Sequence, residues 1–295
     1  KFKICPLESK NLFNRFVLCI WAFFNQGSIN HICGDVNFIS IFLKKSKTIN
    51  TILDCYSMKR LNNLKKFLYS IFWIKIPVFQ SCKIITISKS TFNEVLRYTN
   101  IKNRKKIEII GVCTLSAYKK NIKKKIKLIP RILIVGTAPH KNISNIISSL
   151  KNIECKMIII GKLTNEMFEK LNKNKLNYEN YISASKNKLV NEYKKSDLLL
   201  YPSNYEGFGI PIIEAQSIGR AVITSNLEPM ITVAGKGALF VNPKNIKEIS
   251  KSVKLLIRNQ KLRNSLIDKG FQNIKRFKKE IILNKHLIIY KNVIN

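Results

Sequence analysis

Residues 197–218 decide the fold and read DLLLYPSNYEGFGIPIIEAQSI. An apolar run with the length of a buried strand ends at Tyr201, a loop with two glycines follows, and Pro211 then opens a segment with helical spacing. Proline suits the first residue of a helix because its φ angle is preset and its missing N–H leaves no hydrogen bond unmade. The stretch therefore predicts a strand, a glycine-containing loop and a helix that begins beside the loop.

The predicted helix start is suited to an anion. Unpaired backbone N–H groups and the positive end of the helix dipole point out of a helix N-terminus, and Gly207 and Gly209 allow a phosphate to come close. Glu206 in the loop and Glu214, which we place in the first helical turn, carry carboxylates that accept hydrogen bonds from sugar and ribose hydroxyls. The alternative is that both carboxylates lie on a solvated face and only favour the helix dipole.

Strand and helix patterns alternate through the whole second half of the chain. Short runs of Ile, Leu and Val predict parallel strands at 131–136, 156–161, 178–182, 197–202, 221–225 and 238–241. Amphipathic segments predict helices at 141–152, 165–172, 185–195, 211–218, 245–258 and 261–277. This alternation is typical of a doubly wound α/β domain, in which helices cover both faces of a parallel sheet.

The first 115 residues show a weaker form of the same alternation, with strands predicted near 30–33, 47–53, 83–88 and 107–112. A run that contains six Lys and no acidic residue follows, and its self-repulsion favours an extended, solvated segment. We therefore predict a partial N-terminal domain at 1–117, a linker at 118–127, a C-terminal domain at 128–280 and a final helix at 281–295 that returns to the N-terminal domain.

Composition excludes several classes of protein. With 45% hydrophobic residues the chain is too apolar for disorder, and 11 Gly and 8 Pro are too few for a fibrous repeat. The apolar runs at 16–24 and 68–79 are too short to cross a bilayer. Seven cysteines without a C-x-x-C pair or a Cys/His cluster predict reduced thiols in a cytoplasmic protein. The lack of a P-loop and of G-x-G-x-x-G argues against an NTPase or a dinucleotide oxidoreductase.

The formal charge of +36 raises nucleic-acid binding as a weaker hypothesis. The lysines are spread along the whole chain rather than clustered, so we expect no nucleic-acid partner. The stretch 64–77 mixes basic and aromatic residues, and we expect it to pack inside the first domain. The alternative for this stretch is peripheral contact with an anionic membrane.

The decapeptide EGFGIPIIEA at 206–215, together with residues 217–226 and 233–243, resembles the retaining family 4 glycosyltransferases of GT-B architecture. The resemblance covers about residues 30–277. It implies an α/β fold of two Rossmann-like domains that face a cleft, with the beginning of the first domain upstream of Lys1. It also implies transfer of a sugar, with retention of configuration, from a nucleotide diphosphate sugar to a glycan or lipid-linked acceptor. Such an enzyme of polysaccharide biosynthesis would work in the cytoplasm or at the inner face of the membrane.

The E-x7-E motif of that family matches Glu206 and Glu214. By this resemblance Glu214 binds the ribose of the donor, while Glu206 and the amides of Gly207, Phe208 and Gly209 contact the transferred sugar and the β-phosphate. The chain has no D-x-D pair of the kind that holds Mg²⁺ or Mn²⁺ on a diphosphate. We therefore expect metal-independent transfer without a cofactor.

A second segment, GTAPHKN at 136–142, ends one predicted strand and opens the next helix. It resembles the family segment that ends in Lys-Asn, whose Lys supports the leaving pyrophosphate. The resemblance implies that Lys141 is catalytic and that Gly136, Thr137 and Asn142 contact the donor. A cation at this place would stabilise the charge that builds on the departing nucleotide.

The first domain contains two further segments of interest. NHICGDVNF at 30–38 resembles a family segment near the acceptor, which puts His31 in the active site; a structural histidine is the alternative. TINTILD at 48–54 resembles a strand end where the family has His and this chain has Leu53. These features leave open a catalytically impaired GT-B scaffold that serves as a binding partner, or a decaying enzyme.

Overall fold

The structure, a computed structural model, describes residues 5, 7–114, 117–121, 126 and 128–294. The chain divides into two compact units. Unit 1 comprises Lys1–Val112 and Glu280–Asn295, and unit 2 comprises Cys113–Lys279.

Each unit contains a parallel β-sheet among its described residues. The four strands of unit 1 pair in the order β1-β2-β3-β4, and they are β1 (Asn30–Ile32), β2 (Thr48–Ile52), β3 (Lys83–Thr86) and β4 (Ile107–Ile109). The six strands of unit 2 pair in the order β10-β9-β8-β5-β6-β7, and they are β5 (Arg131–Val135), β6 (Lys156–Ile160), β7 (Asn177–Tyr181), β8 (Leu198–Tyr201), β9 (Ala221–Ser225) and β10 (Ala238–Val241).

Helices connect the strands. In chain order they are α1 (Leu12–Phe24), α2 (Ser57–Arg60), α3 (Asn63–Tyr69), α4 (Ile76–Phe79), α5 (Lys89–Thr99), α6 (Ile143–Leu150), α7 (Asn165–Lys173), α8 (Lys186–Lys195), α9 (Ile210–Ile218), α10 (Met230–Ala234), α11 (Ile246–Arg258), α12 (Gln260–Asn273) and α13 (Lys279–Ile294). A π-helical stretch at Ser70–Lys75 joins α3 to α4, and single 3-10 turns include Pro139–Lys141 and Ile274–Phe277.

The sheet of unit 2 explains where a ligand site can form. The chain runs from β5 outward through β6 to β7, and then returns to the other side of β5 to build β8, β9 and β10. The strands β5 and β8 are direct neighbours, with Ile132 opposite Leu198. At such a reversal the loops that follow the two strands diverge and leave a crevice at the carboxyl ends of the strands. The segments after β5 and β8 therefore lie side by side.

The core of unit 2 follows from its strand sequences. Because both faces of the sheet are covered, the central strands are mostly apolar, and residues such as Ile132, Ile159, Leu200 and Ile223 are fully buried against α6 and α11. In unit 1, β2 is buried along its whole length and packs with residues such as Val78, Ile84 and Val95. Both sheets therefore hold the strand ends rigidly.

The predicted strands of both halves are confirmed, as is the α/β class. Several helices were not predicted, among them α1, α2 and α5 in unit 1 and α10 in unit 2. α10 has only five residues, too few to show a helical period, and α1 exposes apolar residues on its outer side, which hides its amphipathic pattern. The helix predicted at 261–277 ends as α12 at Asn273 and continues as a 3-10 turn.

The predicted linker at 118–127 differs from the structure at Tyr118, whereas Lys119, Lys120 and Asn121 are exposed. Instead of being solvated, Tyr118 is 6% exposed, and its ring meets that of Tyr193 edge to face at 5.5 Å. The Asn121 N–H donates to the carbonyl of Ile218. The aromatic ring of Tyr118 is therefore buried although it begins a lysine-rich run. Residues 122–125 and 127 lie outside the described residues.

The stretch at 64–77 is only partly packed inside unit 1, contrary to our expectation. Ser70, Ile74 and Pro77 are buried, whereas the large side chains of Leu64, Phe67, Leu68 and Phe72 are exposed. In the part of the chain that the structure describes, no helix combines the length and the hydropathy that a membrane span requires.

A buried arginine ties three segments of unit 2 together. Arg220 donates to the carbonyls of Tyr193, Lys194 and Gly219 and to Asn121 Oδ1, at 2.8–2.9 Å. It is 2% exposed, and burial lowers the pKa of its guanidinium to about 10, an effect that Asp197 partly offsets. The guanidinium stays charged at neutral pH and satisfies the carbonyls at the end of α8.

Replacement of Arg220 by Ala should destabilise the protein by about 3 kcal/mol, because it leaves several buried acceptors without donors. The free energy of unfolding in urea measures this loss. The control is Arg258→Ala, which removes an exposed arginine from α11. Equal losses in the two variants would contradict the role given to Arg220.

Candidate functional site

An ion pair joins the loops that follow β5 and β8. Lys141 Nζ donates to Glu206 Oε1 at 2.7 Å and to Oε2 at 3.0 Å. The side chains are 17% and 9% exposed, so water screens the pair only weakly. Because β5 and β8 are neighbours, residues 65 positions apart meet at the carboxyl end of the sheet. The structure thus brings together the two residues that the sequence placed in different motifs.

Gly136 gives the Lys141 side chain its place. Gly136 has a φ of +90°, and a Cβ there would lie 2.9 Å from Lys141 Cε. Any side chain at this position would strain the backbone and push the lysine stem aside. The absence of a side chain at Gly136 therefore leaves the space that the Lys141 stem occupies.

Asn142 joins its own segment after β5 to the segments that follow β8 and β10. Its Nδ2 donates to the carbonyl of Pro202 at 3.0 Å and to that of Pro243 at 2.7 Å, and the residue is 7% exposed. The N–H of Asn204 in turn donates to the carbonyl of His140. Both hydrogens of the Asn142 amide are therefore used within the protein, and the residue positions the loop after β8 beside Lys141.

Tyr201 is the nearest neighbour of the ion pair that the sequence analysis did not select. It is the last residue of β8, and its hydroxyl accepts a hydrogen bond from Lys141 Nζ at 2.6 Å. Burial, followed by the charge of Glu206, raises the pKa of this phenol well above its usual value. A signal was present, because a side chain at the carboxyl end of a central strand faces the crevice side of the sheet.

Glu214 takes different partners from Glu206. Tyr193 donates to Glu214 Oε2 at 2.8 Å, and Tyr118 forms a second hydrogen bond to the same carboxyl group. Burial raises the pKa of Glu214, and the two tyrosine hydrogen bonds partly counter this rise. Glu214 is the fifth residue of α9 rather than a first-turn residue, because the helix begins at Ile210 and Pro211 is its second residue.

Of the two glycines in the loop before α9, Gly209 has a backbone conformation that favours glycine. Gly209, the N-cap of α9, has a φ of +98°, which a residue with a Cβ rarely adopts. The Phe208 side chain is 5% exposed and meets the ring of Phe277 at 5.5 Å, so only its backbone can serve a ligand. Thr137 lies two residues after the end of β5, and its hydroxyl donates to the carbonyl of Lys162.

His31 belongs to β1 of unit 1. Its Nδ1 lies 2.6 Å from Tyr290 Oη and its Nε2 lies 2.8 Å from Thr51 Oγ1, so both ring nitrogens have partners. Burial, followed by the electrostatic influence of His286, lowers the pKa of His31 to about 4. The ring is therefore neutral at physiological pH. Leu53, just past the end of β2, is 41% exposed.

No group of three or more His, Cys, Asp or Glu side chains in the described ranges could hold a metal ion.

Comparison with known proteins identifies the family. Residues 102–273 match the family described as "Glycosyl transferases group 1". The chain belongs to this glycosyltransferase family. Group 1 relatives include the O-antigen chain mannosyltransferase RfbU of Salmonella typhimurium, 27% identical over 238 residues that cover 77% of this chain and 65% of the relative. The capsular polysaccharide glycosyltransferase CapM of Staphylococcus aureus is 26% identical over 256 residues, 76% of this chain and 65% of the relative.

The fold of this group 1 chain is GT-B. Anabaena HepE in complex with UDP and glucose superposes with a TM-score of 0.81 and 12% identity, over 95% of this chain and 82% of HepE. A glycosyltransferase from Rickettsia africae superposes with a TM-score of 0.75 and 18% identity, over 99% of this chain and 84% of that protein. The chain spans slightly less than two thirds of the length of RfbU and CapM.

Replacement of Gly136 by Ala should cost more stability than the same change at Gly34. Both glycines have a φ near +90°, but the added methyl group meets Lys141 only at Gly136, whereas nothing lies within 4 Å at Gly34. We expect a loss of about 1–2 kcal/mol from the backbone at both sites and a further loss at Gly136. Urea unfolding measures the difference, and equal losses would show that Lys141 does not fill that space.

Replacement of Tyr193 by Phe should raise the pKa of Glu214 further, because a donor that stabilises the carboxylate is lost. Carbon NMR of labelled glutamate side chains, with the signal assigned by Glu214→Gln, measures the shift. In the folded wild type, burial already raises the pKa of the Glu214 carboxyl above its usual value. An unchanged or lower pKa in the Tyr193→Phe variant would contradict the hydrogen-bonding scheme.

Proposed function

We propose that the protein is a retaining glycosyltransferase that moves a sugar from a nucleotide diphosphate sugar to a glycan or lipid-linked acceptor. The observation that carries the proposal is the Lys141–Glu206 pair at the reversal of strand order, beside the N-terminus of α9. Relatives named as mannosyltransferases and as a diphospho-undecaprenol N-acetylgalactosaminyltransferase support the class of reaction.

In this proposal Lys141 binds the β-phosphate of the donor. A diphosphate is the leaving group, and negative charge grows on its bridging oxygen as the bond to the anomeric carbon breaks. The ammonium group of Lys141 and the amides of Gly207–Gly209 would stabilise this charge without a metal ion or a cofactor. Glu206 fixes the lysine and accepts a hydrogen bond from the transferred sugar, and Glu214 accepts hydrogen bonds from the ribose.

The transfer step exchanges one bond for another at the anomeric carbon. The acceptor hydroxyl attacks on the face from which the diphosphate departs, a new glycosidic C–O bond forms, and the C–O bond to phosphate breaks. The departing phosphate oxygen takes the proton of the hydroxyl. The protein contributes positioning and charge stabilisation, and the configuration at the anomeric carbon is kept.

The direct test is binding of UDP and of GDP by calorimetry. Both are used because the proposal does not specify the nucleotide base. The wild type should bind one of them, and Lys141→Ala should weaken that binding about 10- to 100-fold, because a hydrogen bond to a charged group contributes about 1.5–3 kcal/mol. Lys269→Ala on the exposed side of α12 is the control. Binding of neither nucleotide, or equal binding by wild type and Lys141→Ala, would refute the proposal.

Product stereochemistry tests the retaining mechanism. With a donor that is turned over, proton NMR of the product should show the anomeric configuration of the donor. An inverted product would contradict the mechanism even if nucleotide binding is as expected.

The second candidate function is a GT-B scaffold without catalysis, and Leu53 favours it, because the resembling family has His at this strand end. If this candidate is right, the wild type binds the nucleotide but neither transfers nor hydrolyses the donor, and Leu53→His gains activity. Transfer by the wild type would rule out the scaffold.

We also propose peripheral contact of unit 1 with an anionic membrane. On α1, Phe13, Phe16 and Ile20 form an exposed apolar stripe, and Arg15 of the same helix stacks on Trp73 at 4.9 Å. α3, which continues into the π-helical stretch that carries Trp73, exposes Phe67 next to Lys65 and Lys66. Apolar side chains flanked by lysines match the chemistry of an anionic lipid surface.

Sedimentation with lipid vesicles tests this contact. The wild type should bind vesicles that contain phosphatidylglycerol and not vesicles of phosphatidylcholine alone, and Phe67→Ser should weaken the binding several-fold. Leu287→Ser, a similar change at an exposed site on α13, should not. Equal binding to both vesicle types would contradict the electrostatic part of the proposed membrane contact. Self-association in place of vesicle binding would show that a second copy of the chain covers this apolar surface.

A further inference from the structure

We propose that the hydroxyl of Tyr201 is a positioning group that holds Lys141 Nζ in place for the donor diphosphate. The proposal rests on the proposed function and concerns the same site. Tyr201 stands outside both sequence motifs that select the site, and it is joined to Lys141 by a shorter distance, 2.6 Å, than the 2.7 Å that joins Lys141 to Glu206.

The hydrogen-bonding capacity of the lysine explains why a tyrosine matters. An ammonium group has three hydrogens, and a flexible four-carbon stem gives it little direction of its own. Glu206 and Tyr201 accept from it on two sides, and the Gly136 backbone lies against the lysine stem. Glu206 accepts through both of its carboxylate oxygens, so a diphosphate that binds Lys141 would share the hydrogens of the ammonium group with Glu206, while Tyr201 keeps its contact.

The chemistry of the phenol suits this role better than a second carboxylate would. Tyr201 is 2% exposed and stays protonated, so it accepts from Lys141 without neutralising its charge. With a second carboxylate in place of the phenol, Lys141 and its two acceptors would carry a net negative charge. That charge would repel a diphosphate.

The position of Tyr201 in the fold makes the support rigid. Its backbone belongs to the central strand β8, whose residues are all buried, and its carbonyl accepts from Thr224 Oγ1. A strand-borne side chain varies less in position than a loop-borne one. Lys141 lies on a 3-10 turn after β5. Its hydrogen bond to Tyr201 fixes the position of its ammonium group relative to the sheet.

The test is Tyr201→Phe, which keeps the ring and removes only the hydroxyl. With whichever of UDP and GDP the wild type binds more tightly, the variant should lose about 3- to 10-fold in affinity, which is less than the loss expected for Lys141→Ala, because the hydroxyl acts on the ligand only through Lys141. Affinity for the corresponding monophosphate should not change, because the monophosphate lacks the β-phosphate that Lys141 would contact. Tyr178→Phe on β7 is the matched control and should behave as the wild type.

A double-mutant cycle separates positioning from a general structural role. In a Lys141→Ala background, Tyr201→Phe should have no further effect on diphosphate affinity, because the group that it positions is gone. Equal affinity of Tyr201→Phe and wild type would overturn the inference while leaving the proposed function intact. A loss that is equal for diphosphate and monophosphate, or that persists in the Lys141→Ala background, would also overturn it. A wild type that binds neither diphosphate would overturn the proposed function and this inference with it.

Discussion

The buried ion pair between Lys141 and Glu206 depends on the order of the strands in unit 2. Removing two charges from water is costly, and a buried pair persists only where further hydrogen bonds support it. Here Tyr201 supplies such a bond, the Gly136 backbone lies against the lysine stem, and the side-chain amide of Asn142 holds the neighbouring loop. A diphosphate that enters the crevice would share the ammonium group of Lys141 with Glu206. The ion pair thus holds a cation in position before an anionic ligand binds.

Much of the fold could be predicted because parallel strands covered on both faces have a distinctive sequence. Runs such as RILIV at β5 and LLLY at β8 are buried in the structure, and the helix after the Gly209 loop begins within one residue of its predicted position. The pairing of β5 with β8 could not be read from the residues alone, because strand order is set by packing between distant parts of the chain.

The candidate site was only partly predictable for a similar reason. The motif residues Lys141 and Glu206 could be selected from sequence, whereas the partners of Glu214 could not. One of those partners, Tyr118, comes from a lysine-rich stretch that composition assigns to solvent. The ring nitrogens of His31 engage Thr51 and Tyr290, and the second of these lies 259 residues away in the chain. Sequence spacing carries no information about such contacts.

The central claim is that Lys141 holds the β-phosphate of a nucleotide donor. A crystal structure of the protein with bound UDP or GDP tests it most directly. The account predicts a β-phosphate oxygen within about 3 Å of Lys141 Nζ, with the Gly207–Gly209 amides facing the same group. A nucleotide bound elsewhere, with the Lys141–Glu206 pair unchanged and no phosphate beside it, would contradict the account.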